Sequence, residues 1–316
     1  MTAAPVSILY IVSHPRSGST LVGSVLGLAD GHIYVGEVRD VWRDGLLRNE
    51  NCGCGKPFRD CPFWTQVFER AFGGFETQQA RQAAEIFSRL DRRGEMLRLL
   101  PSALFFPSGK SSGGAYAASL LSLYQAIRDV SGAKVIVDSS KTMQYAALLA
   151  SAPGLRVSLT NLIRDPRGIM FSRMQRARYR DGSLKPQAAG YGRPRIFRIL
   201  MKWVVRNALA ARAMKRDGGM RLLYEDFTRA QQWYLEAVLG ENGAGQVLQT
   251  LEEGVPAAFV QHQVAGNWVQ GLKISTAERW KTELSQSLQD LMGRLSAPFR
   301  RHYKSQTYKP RGTRRP

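Results

Sequence analysis

Ile8-Leu9-Tyr10-Ile11-Val12 is a short apolar strand that empties at once into Ser13-His14-Pro15-Arg16-Ser17-Gly18-Ser19-Thr20, and from Thr20 onward TLVGSVLGL reads as a helix. Strand, polar loop and helix N-terminus in this order make an anion cradle, because free backbone N–H groups and the positive end of the helix dipole face one point. Arg16 adds a guanidinium fork suited to phosphate or sulfate oxygens, and Ser17, Ser19 and Thr20 add hydroxyl donors. The segment predicts a phosphate-binding loop. It is not the nucleotide-hydrolase form, which needs a lysine directly after its second glycine. Here Ser19 follows Gly18, and Arg16 comes before the glycine.

Beyond this unit strand and helix signals alternate, which predicts an α/β chain with a parallel sheet and helices on both faces. The first strand covers 8–12 and its helix about 20–28; further strands are expected at Lys134–Asp138, Leu155–Ile163 and Leu222–Tyr224. Helical periodicity covers 76–100, 113–130 and 195–216, and another helix starts at Asp226. Gly132 stops the second of these, while Asp165 and Pro166 open a further helix as cap and first residue. A Gly/Cys/Pro-rich excursion occupies roughly 44–63, and 181–194 (DGSLKPQAAGYGRP) has the turn chemistry of a mobile loop. At 316 residues the chain can bury a full core. The expectation is a single domain over 1–304 and a basic disordered tail over 305–316.

The net charge of +20 is concentrated. Residues 164–216 hold 15 Lys/Arg against only Asp165 and Asp181, and 300–316 hold seven with no acid, so the rest of the chain is neutral. Such concentration points to polyanions: a multiply phosphorylated cofactor, an acidic acceptor, nucleic acid or an anionic surface. The longest apolar runs are about five residues, far below the ~20 of a membrane-spanning helix. Met1-Thr2-Ala3-Ala4-Pro5 lacks the basic and apolar regions of a signal peptide, so a cytoplasmic enzyme is expected. Cys52, Cys54 and Cys61 fall within NCGCGKPFRDCPFW. Their spacing invites zinc, but a structural site takes four ligands, and the nearest histidine, His32, is poorly spaced. A disulfide is disfavoured in a cytoplasm, which leaves reduced thiols as the preferred reading.

Several segments together resemble PAPS-dependent sulfotransferases, in particular the bacterial and Golgi-type carbohydrate branch. Pro15-Arg16-Ser17-Gly18-Ser19-Thr20-Leu21 is similar to the 5′-phosphosulfate loop of that branch, which carries Arg where cytosolic members carry Lys. Leu162-Ile163-Arg164-Asp165-Pro166 through Ser172 resembles the 3′-phosphate motif, in which an Arg at a strand end and a Ser two helical turns later clasp the 3′-phosphate. Leu223-Tyr224-Glu225-Asp226-Phe227 resembles the YEDL motif, whose Tyr lies near the adenine. His262-Gln263-Val264-Ala265-Gly266-Asn267, followed by Trp280, resembles a late segment that closes over the nucleotide, with Lys273 in reach of the 3′-phosphate. The cysteine segment resembles a C-x-CG…CPFW element of the same branch, which puts it on the acceptor side.

The resemblance implies the sulfotransferase fold, a P-loop-NTPase-like parallel sheet flanked by helices, and PAPS (3′-phosphoadenosine-5′-phosphosulfate) as co-substrate with no metal required. It assigns cofactor contacts to Arg16, Ser17, Gly18, Ser19, Thr20, Arg164, Ser172, Tyr224, Gly266, Asn267 and Lys273. Glu37, in Tyr34-Val35-Gly36-Glu37, stands where the branch carries its catalytic base. An acceptor hydroxyl gains acidity only as the S–O bond forms, so a nearby carboxylate takes the proton late. Arg16 would stabilise the leaving phosphate, and Lys141, at another strand tip, the sulfuryl oxygens or the acceptor. Plainer readings stand beside these: Glu37 as a surface acid paired with Arg39 or Arg43, Lys141 as a first-turn surface lysine, Tyr224 as a core aromatic, Gly266-Asn267 as an ordinary turn. The acceptor is a glycan, lipid head group or peptide, with a carbohydrate or other small hydroxylated molecule expected. Two other functions compete: a P-loop kinase, against which the missing Walker lysine counts, and a nucleic-acid or anionic-surface binding protein, suggested by the basic 195–216 helix and the tail.

Overall fold

A computed structural model describes residues 4–92, 112–181, 192–256, 259–264, 272, 274 and 278–305. β1 (Val6–Ser13) is apolar without alternation because both of its faces are covered. Ile8, Tyr10 and Val12 enter one core with Trp42, Trp64, Tyr116 and Tyr124. Leu9 and Ile11 enter another, with Val22, Val25, Phe227 and Tyr234. The first core is supplied by α2 (Pro62–Phe72), α4 (Ser112–Ser131) and α5 (Met143–Ser151), the second by α1 (Ser19–Leu26), α8 (Tyr224–Arg229) and α9 (Gln232–Glu253). α3 (Gln78–Arg92) packs beside the first group.

The sheet has five parallel strands in the order β2 (His32–Tyr34), β3 (Val135–Lys141), β1, β4 (Leu155–Ile163), β5 (Met220–Leu223). The chain leaves β1 toward one edge and later crosses to the other, so the C-terminal end of β1 is the topological switch point where open parallel sheets collect ligands. Val12 pairs with Lys141 and Ser13 with Leu162, which brings the tips of β3 and β4 level with the loop after β1. A third core joins α6 (Pro166–Asp181), α7 (Arg193–Asp217), α10 (Trp280–Glu283) and α11 (Gln286–Ser305) through Met170, Trp203, Trp280 and Tyr303.

The expected α/β sheet is therefore present, and β4 has the bounds read from sequence. Gly132 stops α4 as expected, at φ 67° with its N–H on the Arg128 carbonyl. β1 and β3 are longer than 8–12 and Lys134–Asp138, because the polar residues Ser13, Ser139 and Ser140 are buried and continue the ladder. The strand expected over Leu222–Tyr224 ends instead at Leu223, where its pairing with Ile163 of β4 runs out, and Tyr224 opens α8. β2, α2, α10 and α11 have no counterpart in the reading of the sequence. A wide π-type turn, Val41–Leu47, leads into the excursion near 44–63 and lies before α2. Most of the 181–194 loop, the end of the 76–100 helix and residues 306–316 of the expected tail lie outside the described residues, and Ser305, its first residue, closes α11. Among the described residues no helix is long and apolar enough to cross a membrane.

Candidate active site

The loop after β1 turns on two left-handed residues, Arg16 at φ 76° and Gly18 at φ 90°. Turns of this kind let backbone N–H groups converge on an anion. Only glycine fits at position 18: a Cβ there would lie 2.0 Å from Cε2 of Tyr224, quite apart from the cost of positive φ. Ser17 N–H donates to the His14 carbonyl at 3.1 Å and closes the turn, and Val22 N–H donates to the Gly18 carbonyl as α1 begins. Ser17 and Ser19 are buried, while Thr20 is half-buried at the start of α1.

β4 delivers Arg164 two residues beyond the Ser13–Leu162 pair. Its Nη1 donates to the Arg16 carbonyl at 3.0 Å, and Nε of Arg16 donates to Oγ of Ser172 at 3.0 Å. Arg16 thus meets Arg164 and Ser172, 148 and 156 positions further on in sequence, over the end of the sheet. The Arg164 guanidinium lies 4.7 Å from the centroid of the Tyr224 ring, a cation–π contact that fixes both side chains. Gly168 makes room for it, since a Cβ there would sit 3.0 Å from Arg164 Nε and 3.3 Å from Cδ1 of Trp280. Asp165 starts α6 by accepting from the Arg167 N–H at 2.9 Å, and its carboxylate also holds the Arg167 and Arg300 side chains. Its own N–H donates to Glu225 at 2.9 Å, while Trp203 Nε1 donates to the Arg164 carbonyl at 3.0 Å.

Three buried polar atoms here have no hydrogen-bond partner among the described residues: Ser13 Oγ, Ser17 Oγ and Arg164 Nε. Buried polar atoms are nearly always satisfied, so this grouping fits residues built to receive an oxyanion. His14, in the same loop, is buried, and its Nδ1 lies 2.8 Å from the Pro15 carbonyl. Burial, together with Arg206, Arg173 and Lys202, pushes its pKa down to about 3, so the ring is neutral at pH 7. Apart from its place in the loop, the sequence carries no signal that this histidine is buried and neutral.

On the other side of β1, Gly36 at φ 77° turns the chain so that Glu37 meets the tip of β3. The Gly36 carbonyl accepts from the Ser139 N–H, and Glu37 forms an ion pair with Lys141, which ends β3 at φ 67°. Lys141 is therefore no first-turn surface lysine: its side chain is only 12% exposed and bonded to Glu37. Arg39 and Arg43 pair with Asp40. Beneath this pair lies Asp138, fully buried, which accepts from Tyr124 Oη at 2.5 Å and from Ser140 N–H at 2.7 Å. Gly266, Asn267 and Lys273 lie outside the described residues. The chain just before them is anchored beside Glu37, where Val264 N–H donates to the Val35 carbonyl.

Cys52, Cys54 and Cys61 form no disulfide, in line with the preferred reading from sequence, but the histidine beside them is His262 rather than His32. A separation of more than 200 residues hides this neighbour from any spacing rule.

The chain thus has a five-stranded parallel α/β sheet with Arg16, Arg164 and Ser172 gathered at its switch point. No protein-family model matches the chain, and no curated protein matches it. Among solved structures the chain is similar to the sulfotransferase domain from the curacin biosynthetic pathway, with 18% identity, 93% of this chain and 99% of that chain covered, and a TM-score of 0.44. It is also similar to sulfotransferase STF9 from Mycobacterium avium, with 13% identity, 94% and 78% covered, and a TM-score of 0.45. The mouse sulfotransferase SULT7A1 complexed with PAP gives 10% identity, 96% and 90% covered, and a TM-score of 0.45.

Proposed function

We propose that this chain is a sulfotransferase that transfers a sulfuryl group from 3′-phosphoadenosine-5′-phosphosulfate to a hydroxyl acceptor, a carbohydrate or another small hydroxylated molecule. The observation that carries the reading is the meeting of Arg16, Ser172 and Arg164 around a left-handed loop with unsatisfied buried donors. The donor nucleotide supplies an activated sulfuryl group and two anionic ends. Arg16 and the N–H groups of residues 17–20 bind the 5′ end and take up charge as the phosphate leaves. Arg164 and Ser172 bind the 3′-phosphate, and Tyr224, pinned by Arg164, borders the adenine. The resemblance adds Gly266, Asn267 and Lys273 as further cofactor contacts. Glu37 accepts the acceptor's proton, and Lys141 orients that carboxylate while adding positive charge for the sulfuryl oxygens. Such transfers are loose, so positioning and charge account for most of the catalysis.

Calorimetric titration with adenosine 3′,5′-bisphosphate at fixed ionic strength tests the reading, beside ATP with magnesium and a single-stranded oligonucleotide. One-to-one binding of the bisphosphate, lost in Arg16→Ala and Arg164→Ala, is expected. Preference for ATP or for the oligonucleotide would replace it with a kinase or a polyanion binder.

A further inference from the structure

Behind Glu37, two distant segments bring four soft donor atoms to one point. Cys54 Sγ and Cys61 Sγ lie 3.6 Å apart, Cys61 Sγ is 3.2 Å from Nδ1 of His262, and Cys52 Sγ is 3.8 Å from the same nitrogen. One donor atom from each of the four residues falls within a 4.8 Å cluster. With Zn–S of about 2.3 Å and Zn–N of about 2.0 Å, the edges of a tetrahedral zinc site are about 3.8 Å for S–S and about 3.5 Å for S–N. All four donors are close enough to surround one ion, and the three separations lie within about 0.4 Å of these edges. They are too long for a disulfide, whose sulfurs lie about 2 Å apart.

The surroundings hold these donors without help from the ligands themselves. Cys52 and Cys54 sit in a tight knuckle: Gly55 N–H donates to the Cys52 carbonyl at 2.8 Å, Cys52 N–H donates to the Lys56 carbonyl, and Gly55 takes φ 85°. Cys61 directly precedes α2. The His262 ring stacks on Phe63 with centroids 5.0 Å apart, and Trp64 Nε1 donates to the His262 carbonyl at 3.1 Å. Gly53 N–H donates to the Gln263 carbonyl at 3.0 Å, and a Cβ at Gly53 would come within 2.3 Å of the Gln261 carbonyl, so the two stretches of chain lie as close as glycine permits. Three thiols and an imidazole suit zinc, a borderline-soft ion, better than calcium or magnesium.

We propose that Cys52, Cys54, Cys61 and His262 form a structural zinc site. Four protein ligands complete the tetrahedron and leave no position for substrate, so the ion joins segments rather than taking part in chemistry. The segments it joins matter: 52–61 follows the Glu37 turn, and His262 lies two residues before Val264, which pairs with Val35. Zinc would thus lock the late segment against the turn that carries Glu37.

The test uses the full chain produced with zinc in the medium, with metal measured by plasma mass spectrometry and accessible thiols counted with a chromogenic disulfide reagent. One zinc per chain is expected, with three thiols that react only as a mercurial releases the metal. Exchange to cobalt(II) should give the intense d–d bands and thiolate charge transfer of a tetrahedral site. Cys54→Ser and His262→Ala should lose the metal, and His262→Cys should keep it. If the variants do not fold, the wild-type readouts decide. A zinc-free chain with three reactive thiols, or one holding a disulfide or only iron, would overturn the proposal. None of these measurements depends on nucleotide binding, so this site stands or falls apart from the transfer reaction.

Discussion

Glu37 and Lys141 are bonded to each other across the ends of two different chain segments, and this pair is where the proposed proton transfer is decided. Glu37→Gln removes the base but keeps the shape and a polar contact to Lys141. Turnover should fall by ~10²–10⁴ with affinity for the bisphosphate nearly unchanged. Unchanged turnover in a single-turnover assay would remove Glu37 as base. In the proposed reading Arg164 serves binding instead; it bonds the loop backbone, faces Tyr224 and has a buried Nε without a partner among the described residues. Arg164→Ala should weaken bisphosphate binding by about 10- to 100-fold, the range for losing charge-assisted hydrogen bonds. Titration calorimetry reads this directly, and an unaltered affinity excludes the assignment. These side chains were legible in sequence as types at a spacing. Their contacts were not, because Lys141 and Glu37 are 104 positions apart and meet only through the parallel pairing of β2 with β3.

At the scale of elements, the loop after β1 depends on one glycine. Gly18→Ala places a methyl group inside the Tyr224 ring and asks alanine for φ 90°. The backbone term alone costs about 1–3 kcal/mol, so the loop should rearrange and bisphosphate binding should be lost. Circular dichroism should still report a folded chain, because the sheet is built from other contacts. The start of α6 makes a second case. Asp165→Ala removes the cap on Arg167 N–H and two ion pairs, which should lower stability by about 1–2 kcal/mol in urea denaturation. An effect much smaller than this would mean that Glu225 and Trp203 hold the turn unaided. Both elements were readable beforehand, since glycine at a tight loop and Asp-Pro at a helix start are local signals. That Gly18 is required by the distant Tyr224 was not readable.

For the whole molecule, two buried groups pull stability in opposite directions with pH. Burial pushes the Asp138 carboxyl up to about 6, with the hydrogen bonds from Ser140 and Tyr124 only partly offsetting it. The folded chain therefore holds a proton that the unfolded chain has released, and stability falls as pH rises from about 4 to about 6. Burial and neighbouring cations push His14 down to about 3. There the unfolded chain holds the extra proton, so stability rises as pH goes from about 3 to about 6.5 and is lost on acidification. In the overlap the two slopes largely cancel. Asp138→Asn should expose a steeper rise in urea midpoint between about pH 4 and 6, and an unchanged slope would show that Asp138 does not titrate in this window.

Local physics needs only neighbours in the chain, and so the amino-acid order alone determined the β1–loop–α1 unit, the alternation of strands and helices, the places of Arg16 and Arg164 at two strand ends, and the concentration of positive charge. What needs partners far away was decided only by the tertiary structure. The sheet order β2-β3-β1-β4-β5 set which strand tips face one another. It thereby chose Ser172 as the hydrogen-bond partner of Arg16, Lys141 as the ion-pair partner of Glu37, and His262 as the fourth neighbour of three cysteines. Side-chain periodicity dictates which face of an element is buried, whereas the packing of elements dictates which residues meet across that face.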